Sequence, residues 1–97
     1  MKNYKPYLSL GDAIRAFLDK NGLTDDARMQ KVIMDWESYM GAPIASNTEK
    51  IWFESGVFYV KMTTPVWRQE LSLAKSKIQK MVNERARKNL VQEVRIL

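Results

Sequence analysis

The spacing of the hydrophobic positions divides the chain into two helical segments, an alternating central segment, a third helical segment and a second alternating one. Residues 1–8 carry no period, and we expect them to form a tail ahead of a single domain over residues 9–97. Ser9 stands three residues before Asp12, a spacing typical of a capped helix start, and apolar residues then recur at helical intervals. The first predicted helix ends at Asn21-Gly22, because both residue types accept the left-handed conformation that closes helices.

A second helix is predicted from Thr24, whose hydroxyl can cap it. Asp25 and Asp26 then occupy the first turn, where the helix dipole favours negative charge. The helix should end at Gly41 and be followed by a turn over residues 44–47. Its predicted buried stripe consists of Met29, Ile33, Trp36 and Met40.

The alternating central segment predicts a β-hairpin. Residues 50–53 and 57–62 are rich in aromatic and β-branched side chains, and Ser55-Gly56 between them is a typical turn sequence. Alternation places Phe58, Val60 and Met62 on one face of the second strand. That face should belong to the core.

The same alternation turns Trp52 and Tyr59 toward the opposite face of the hairpin. Outward aromatic rings beside Lys61 could stack on bases, a contact worth about 1 to 3 kcal/mol per base in single-strand binders. The alternatives are a cross-strand contact between the two rings or a role as anchors in a protein interface. The sequence leaves these three interpretations open.

A third helix is predicted from Thr64-Pro65, a hydroxyl cap followed by proline at the first helical position, and it extends to about Lys88. Residues 90–96 alternate again and should add a strand to the hairpin. The predicted buried stripe of this helix consists of Trp67, Leu71, Ala74, Ile78, Met81 and Val82.

The predicted element order is helix, helix, strand, strand, helix, strand. This order indicates an α+β fold in two layers, with a three-stranded sheet covered by helices on one face. The length of 97 residues suits one such domain.

The composition excludes several kinds of chemistry. The chain has no Cys and no His, so disulfides, thiolate nucleophiles, imidazole bases and the usual zinc ligands are excluded. The four glycines lie far apart and form no phosphate-binding loop. We therefore expect no enzyme, no cofactor, no metal and no small-molecule substrate. Without a long apolar run or a signal-peptide pattern, we also expect a cytoplasmic protein with no membrane contact.

The net charge of +5 belongs entirely to the second half of the chain. Residues 1–50 hold seven basic and seven acidic residues, whereas residues 51–97 hold nine basic and four acidic ones. A clustered positive field indicates a polyanion partner, because it releases phosphate counterions on contact. The alternative is a solvated helix face that keeps the protein soluble. The candidate nucleic-acid-binding residues are Lys61, Arg68, Lys75, Lys77, Lys80, Arg85, Arg87 and Lys88.

Several landmarks taken in order resemble the bacterial DciA family, long catalogued as a domain of unknown function. The resemblance spans about residues 9–97. It rests on the runs Leu10-Gly11-Asp12-Ala13-Ile14, Trp36 with Gly41, Pro43-Ile44-Ala45 and Thr48, Gly56-Val57-Phe58-Tyr59-Val60, Val66-Trp67-Arg68-Gln69-Glu70-Leu71, Val82-Asn83-Glu84 and Val94-Arg95-Ile96.

The resemblance implies a KH-like domain that binds the replicative helicase and DNA and helps to load the helicase onto single strands. Arg68, Lys75, Lys77 and Lys80 would then position the phosphate backbone with little sequence preference. The alternatives are an adaptor that binds only the helicase, with Trp52 and Tyr59 as anchors, or an RNA-binding KH-like domain. The GxxG loop of RNA-binding KH domains is missing, since Gly41 is followed by Ala42-Pro43-Ile44.

Overall fold

The computed structural model describes residues 9–14 and 24–97. The predicted tail and the predicted end of the first helix at Asn21-Gly22 lie outside these residues. The described elements are α1 (residues 10–14), α2 (Asp25–Met34), α3 (Trp36–Met40), α4 (Ala42–Ser46), β1 (Thr48–Glu54), β2 (Val57–Met62), α5 (Pro65–Ser72), α6 (Lys75–Ala86) and β3 (Glu93–Ile96).

The predicted helix starts are confirmed by their capping hydrogen bonds. The hydroxyls of Ser9, Thr24 and Thr64 each accept a bond from the backbone N–H three residues further on, at 3.0, 3.1 and 3.3 Å. Pro65 occupies the first turn of α5. A backbone N–H at this position would have no partner within the helix, so its absence in proline costs no hydrogen bond. Local chemistry therefore fixes where these three helices begin.

The prediction of one helix from Thr24 to Gly41 is wrong, because Asp35 separates α2 from α3. The Asp35 carbonyl accepts bonds from the backbone N–H and the hydroxyl of Ser38, at 2.9 and 2.7 Å. Asp and Ser make such local bonds in competition with the regular helix ladder. The break also shifts the buried stripe, so that Val32 is buried while Ile33 and Met40 are only half-buried.

The prediction of a turn over residues 44–47 is also wrong, because the chain forms the short helix α4 there. Gly41 ends α3 with a φ of 92°, a conformation that favours glycine. Pro43 then stands in the first turn of α4, where proline is tolerated. Asn47 closes the element by donating to the Pro43 carbonyl at 2.8 Å.

The hairpin and its added strand are confirmed. Ser55 and Gly56 form the two-residue connection between β1 and β2, with φ values of 51° and 80°. The two strands pair antiparallel, and β3 pairs parallel to β2, so the order in the sheet is β1-β2-β3. The added strand begins at Glu93, three residues later than the alternation at residue 90 indicates.

The long helix predicted from Thr64 to Lys88 is two helices, since Leu73 and Ala74 interrupt it and α6 ends at Ala86. At the break, the N–H groups of Leu73 and Ala74 donate to the carbonyls three residues back, as in a tight helical turn. The break lets Leu71 of α5 and Ile78 of α6 both reach the core, while Leu73 is 79% exposed.

The core lies between the helices and one face of the sheet. Phe58 and Val60 of β2 are fully buried, as predicted, and half-buried Ile51 and Phe53 of β1 pack against the core. The buried apolar residues are Met29, Val32, Trp36, Phe58, Val60, Met62, Leu71, Ile78, Val82, Ala86, Val91 and Val94. The described residues thus form an α+β fold in two layers, as the sequence predicts, and the second face of the sheet carries Trp52, Tyr59 and charged side chains.

Candidate nucleic-acid interface

The exposed side of α6 carries cations with no ion-pair partner among the described residues. Ile78, Val82 and Ala86 mark the side of the helix that faces the core. Lys80 is two residues from both Ile78 and Val82, so it projects on roughly the opposite side. Lys77 and Lys80 are both exposed, and no carboxylate of the described chain lies within ion-pair distance of either.

The segment that joins α6 to β3 adds two more cations at the end of the same helix. Arg87 follows α6 directly, with a left-handed backbone at φ 59° and ψ 30°. Lys88 comes next, and its Nζ lies 2.8 Å from the Asp25 carboxylate of α2. The charge of Lys88 is therefore partly neutralised by Asp25, whereas Arg87 has no ion-pair partner in the described part of the chain.

Two side-chain amides of α6 fasten this segment to the domain. The Asn83 Oδ1 accepts from the backbone N–H groups of Leu90 and Val91 at 3.0 and 2.8 Å. The Asn83 and Gln79 amide groups both donate to the Val91 carbonyl at 3.0 Å. These bonds provide partners for backbone N–H and carbonyl groups that form no hydrogen bond within a helix or a strand.

Arg28 of α2 fastens the same end of α6 from the other side. Its guanidinium donates to the Ala86 carbonyl at 3.0 Å, at the negative end of the α6 dipole. Together with the Asp25–Lys88 ion pair, this bond docks the start of α2 against the end of α6. The position of Arg87 and Lys88 is thus set by two helices and by the Asn83 amide.

A surface groove of about 530 Å³ lies between α6 and the segment after it. Donor groups of several kinds surround it, including ammonium, guanidinium, hydroxyl and amide groups, together with one carboxylate. The lining residues are Ser76, Gln79, Lys80, Asn83, Glu84, Arg87, Lys88 and Asn89. Such donors suit the oxygens of a phosphate group.

The predicted cations do not all lie together. Arg85 stands over the ring of Tyr39, 4.8 Å from its centroid, in a separate cleft with Ser38 and Met81. Lys61 lies on the outer face of the sheet, where its Nζ is 3.3 Å from Glu49. Arg85 and Lys61 thus lie apart from the groove beside α6.

Arg68 and Lys75 have exposed side chains on α5 and at the start of α6. Neither belongs to the groove lining. The hydrogen bond from Arg95 holds the pKa of the Glu93 carboxyl on β3 below its usual value. The positive charge of Lys75 also lowers this pKa. The structure therefore brings Lys80, Arg87 and Lys88 around one groove, with Lys77 beside them on α6.

Tyr39 is held in its protonated form by its surroundings. Its hydroxyl donates to the Val32 carbonyl at 2.9 Å. Burial raises the pKa of Tyr39 well above its ordinary value of 10.0, although the Arg85 guanidinium opposes this shift. The Tyr39 hydroxyl therefore stays protonated further into the alkaline range than an ordinary tyrosine does.

The outer face of the sheet carries a stack of four side chains. Trp52 and Tyr59 are register partners, and their rings stack with centroids 4.8 Å apart and planes 7° apart. Lys50 lies 5.0 Å from the centroid of the Trp52 ring, and the Arg95 guanidinium lies 5.8 Å from that of Tyr59. The rings contact each other as a cross-strand pair, one of the three interpretations that the sequence leaves open.

Sequence reasoning missed several residues of these surfaces. Lys50 and Arg95 complete the stack because the sheet register places them beside the rings. Alternation alone could have found Lys50, since it shares a strand face with Trp52. Ser76 and Asn89 belong to no sequence pattern, and Asn83 entered only through the Val82-Asn83-Glu84 run of the family resemblance, with no role assigned to it. The roles of these residues depend on the segment that follows α6.

The described residues contain neither a metal-binding cluster nor a membrane-spanning helix. Among them, no cluster of three or more acidic side chains could hold a metal ion. No described helix has the length and apolarity needed to cross a membrane.

Comparisons with known proteins identify the chain at the level of a family. A family model described as Dna[CI] antecedent, DciA, matches residues 9–96. Neither the curated proteins nor the solved structures gave a match. The matched residues include every described element, from α1 to β3.

Proposed function

The chain belongs to the DciA family, and from that premise we propose that it is a non-catalytic nucleic-acid-binding module that acts with the replicative helicase. The family has a role linked to loading of the replicative helicase. In addition to that role, the module contacts nucleic acid directly. This contact is supported by the exposed cations beside the groove, which have no ion-pair partner in the part of the chain that the structure describes.

One observation carries the proposal. Lys77, Lys80 and Arg87 lie along the exposed side and the end of a single helix, without ion-pair partners among the described residues. Exposed cations that hold no local carboxylate are free to neutralise phosphates and release counterions. Contacts of this kind position a nucleic-acid backbone and carry little sequence preference.

The test is a titration of labelled single-stranded DNA at several salt concentrations. If three phosphates are neutralised, the logarithm of affinity should fall against the logarithm of salt with a slope of about −2. Charge reversal of Lys77 and Lys80 to Glu should weaken binding to all sequences alike and make the slope shallower.

The matched control reverses the same amount of charge elsewhere. Lys2→Glu with Lys5→Glu changes two lysines that lie far from α6 in the sequence. Equal weakening by the two double variants would show that net charge matters and α6 does not. Wild-type protein that shows no salt-dependent binding at low ionic strength would contradict the proposal. A parallel titration with RNA of the same sequence identifies an RNA-binding module if RNA is clearly preferred.

The second candidate function is a protein adaptor that contacts the helicase without binding nucleic acid. It is favoured by the stack on the outer face of the sheet, where Trp52 and Tyr59 present a rigid aromatic surface. Copurification with the helicase that survives high salt and nuclease, but is lost in folded Trp52→Ala protein, would support the adaptor. Copurification that nuclease abolishes would support the nucleic-acid-binding module.

A further inference from the structure

The backbone of Arg87 is in a conformation that long side chains rarely adopt. Its φ of 59° and ψ of 30° place it in the left-handed region directly after α6. Helices commonly end on such a residue, which is usually glycine and sometimes asparagine, because a Cβ is unfavourable there. Apart from Ser55 in the hairpin turn, Arg87 is the one non-glycine residue with positive φ in residues 9–14 and 24–97.

The surroundings impose this conformation from several directions. The backbone N–H groups of Arg87 and Lys88 donate to the carbonyls of Glu84 and Asn83, at 3.2 and 3.3 Å. The Ala86 carbonyl is held by Arg28. Strained residues that their neighbours hold in place cluster at functional sites.

The fold makes no use of the Arg87 side chain. It is exposed, and within the described chain it has no hydrogen bond, ion pair or ring contact. A cation at a helix C-terminus is favoured by the dipole, but Arg85 in the last turn and the Arg28 guanidinium already fill that role. Glycine would therefore serve the backbone better at this position, at little cost to the fold.

We infer that the segment after α6 is a preorganised site for a phosphate group, in which Arg87 lowers the stability of the domain and supplies a guanidinium to the ligand. The inference rests on the proposed function and adds to it a preformed binding segment and a strained residue whose side chain serves the ligand instead of the fold. The ligand is a phosphodiester of a nucleic-acid backbone. Lys80, Lys88 and the Ser76 hydroxyl line the same groove and can donate hydrogen bonds to the oxygens of the phosphodiester.

Arginine suits this position for a geometric reason. Its planar guanidinium can donate two parallel hydrogen bonds to one phosphate, whereas a lysine ammonium acts as a point charge. A fixed backbone reduces the freedom that binding must remove. We therefore expect Arg87 to contribute more to affinity than Lys77, which lies outside the groove.

The experiment measures stability and binding in the same variants. Arg87→Gly should raise the thermal midpoint by about 4 °C, because it relieves the left-handed strain. It should also weaken binding of a labelled oligothymidylate about tenfold at low salt, the size expected for one charge-assisted hydrogen-bonding group. The salt slope should become shallower by about 0.7.

Ser55→Gly is the matched control, since it relieves the same kind of strain in the hairpin turn. It should raise the thermal midpoint and leave the affinity unchanged. Arg87→Lys separates the two contributions of the side chain: it keeps the strain and the charge, and it should lose part of the affinity with no gain in stability. Titration with inorganic phosphate, followed by amide chemical shifts of residues 87–89, distinguishes a free phosphate ligand from a backbone phosphodiester.

Each outcome decides a specific statement. If wild-type protein binds the oligothymidylate in a salt-dependent way and Arg87→Gly binds it equally tightly, the inference is wrong and the proposed function stands. If Arg87→Gly lowers the thermal midpoint, the side chain supports the fold and the inference is wrong. If inorganic phosphate saturates the segment and the oligothymidylate does not compete, the ligand is not a backbone. If wild-type protein shows no salt-dependent binding, the proposed function fails and the inference fails with it.

Discussion

At the scale of single residues, the Asn83 side chain makes three hydrogen bonds, all to the backbone of one segment. Its carboxamide bonds two backbone N–H groups and one carbonyl, all in the segment that leads to β3. An exposed loop normally satisfies such groups with water. Here the amide replaces the water and gives the segment a fixed position beside α6.

We expect Asn83→Ala to lower the free energy of unfolding by about 1 to 3 kcal/mol, because it leaves the Val91 N–H without a partner and removes one of the two bonds at the Leu90 N–H and at the Val91 carbonyl. Urea unfolding followed by tryptophan fluorescence measures the change. Gln79→Ala is the matched control, since it removes one bond to the Val91 carbonyl, which Asn83 still satisfies. Equal losses in the two variants would contradict the special role of Asn83.

Tyr39 makes the stability of the domain depend on pH in the alkaline range. The pKa of its hydroxyl is raised above 10.0 in the folded protein. The stabilisation that this provides is fully present below the unfolded pKa and is lost as pH rises beyond it. Above about pH 10, the wild-type thermal midpoint should therefore fall more steeply than that of Tyr39→Phe.

Thermal unfolding across a series of alkaline buffers tests this expectation. Tyr59→Phe changes a half-buried tyrosine on the outer face of the sheet and serves as the control. Parallel curves for wild-type protein and Tyr39→Phe would show that the buried hydroxyl is not the source of the pH dependence.

At the scale of elements, the stack on the sheet links the three strands. Trp52 of β1 contacts Tyr59 of β2, and the ring of Tyr59 lies beside Arg95 of β3. Stacked aromatic pairs contribute about 0.5 to 1.5 kcal/mol beyond the area that they bury. The ring faces are already in contact with each other and with cations. A base could therefore stack here only by displacing Lys50 or Arg95.

A double-mutant cycle measures this coupling. We expect Trp52→Ala and Tyr59→Ala together to destabilise the domain less than the sum of the single changes, with a coupling energy of about 0.5 to 1.5 kcal/mol. Urea unfolding of the four proteins gives the value. Additive effects would mean that the rings contribute only through burial.

The elements also show what a sequence can and cannot predict. The hairpin was predictable because Ser55-Gly56 is a strong local turn signal, and the helix starts were predictable because a hydroxyl cap acts on its own helix. The break at Leu73 and Ala74 was not, since neither residue is a helix breaker and tertiary packing decides the interruption.

The candidate site followed the same division. The sequence identified Lys77, Lys80, Arg87 and Lys88 from charge alone. It could not show that Asp25 pairs with Lys88, because these residues lie 63 positions apart. The left-handed backbone of Arg87 was equally hidden, since glycine is the residue that usually marks such a position.

At the scale of the whole molecule, the basic second half of the chain does not produce an even cationic surface. Carboxylates neutralise part of it, at Lys61 on the sheet, at Lys88 beside α2 and at Arg95 on β3. These ion pairs are exposed, so each adds little to stability, about 0 to 1 kcal/mol. Within residues 9–14 and 24–97, the cations of the second half that have no ion-pair partner therefore lie mostly on α6 and directly after it, with Arg68 on α5 as the exception.

The parallel pairing of β3 with β2 has a consequence for the order in which the protein assembles. Neighbouring residues can close β1 onto β2 early, because only a two-residue connection separates them. Val57–Val60 gain their second partner strand only when residues 93–96 arrive, after both intervening helices. While a ribosome is still making the chain, the middle strand of the sheet therefore waits with one edge unpaired, and a chaperone or a second nascent chain could reach it.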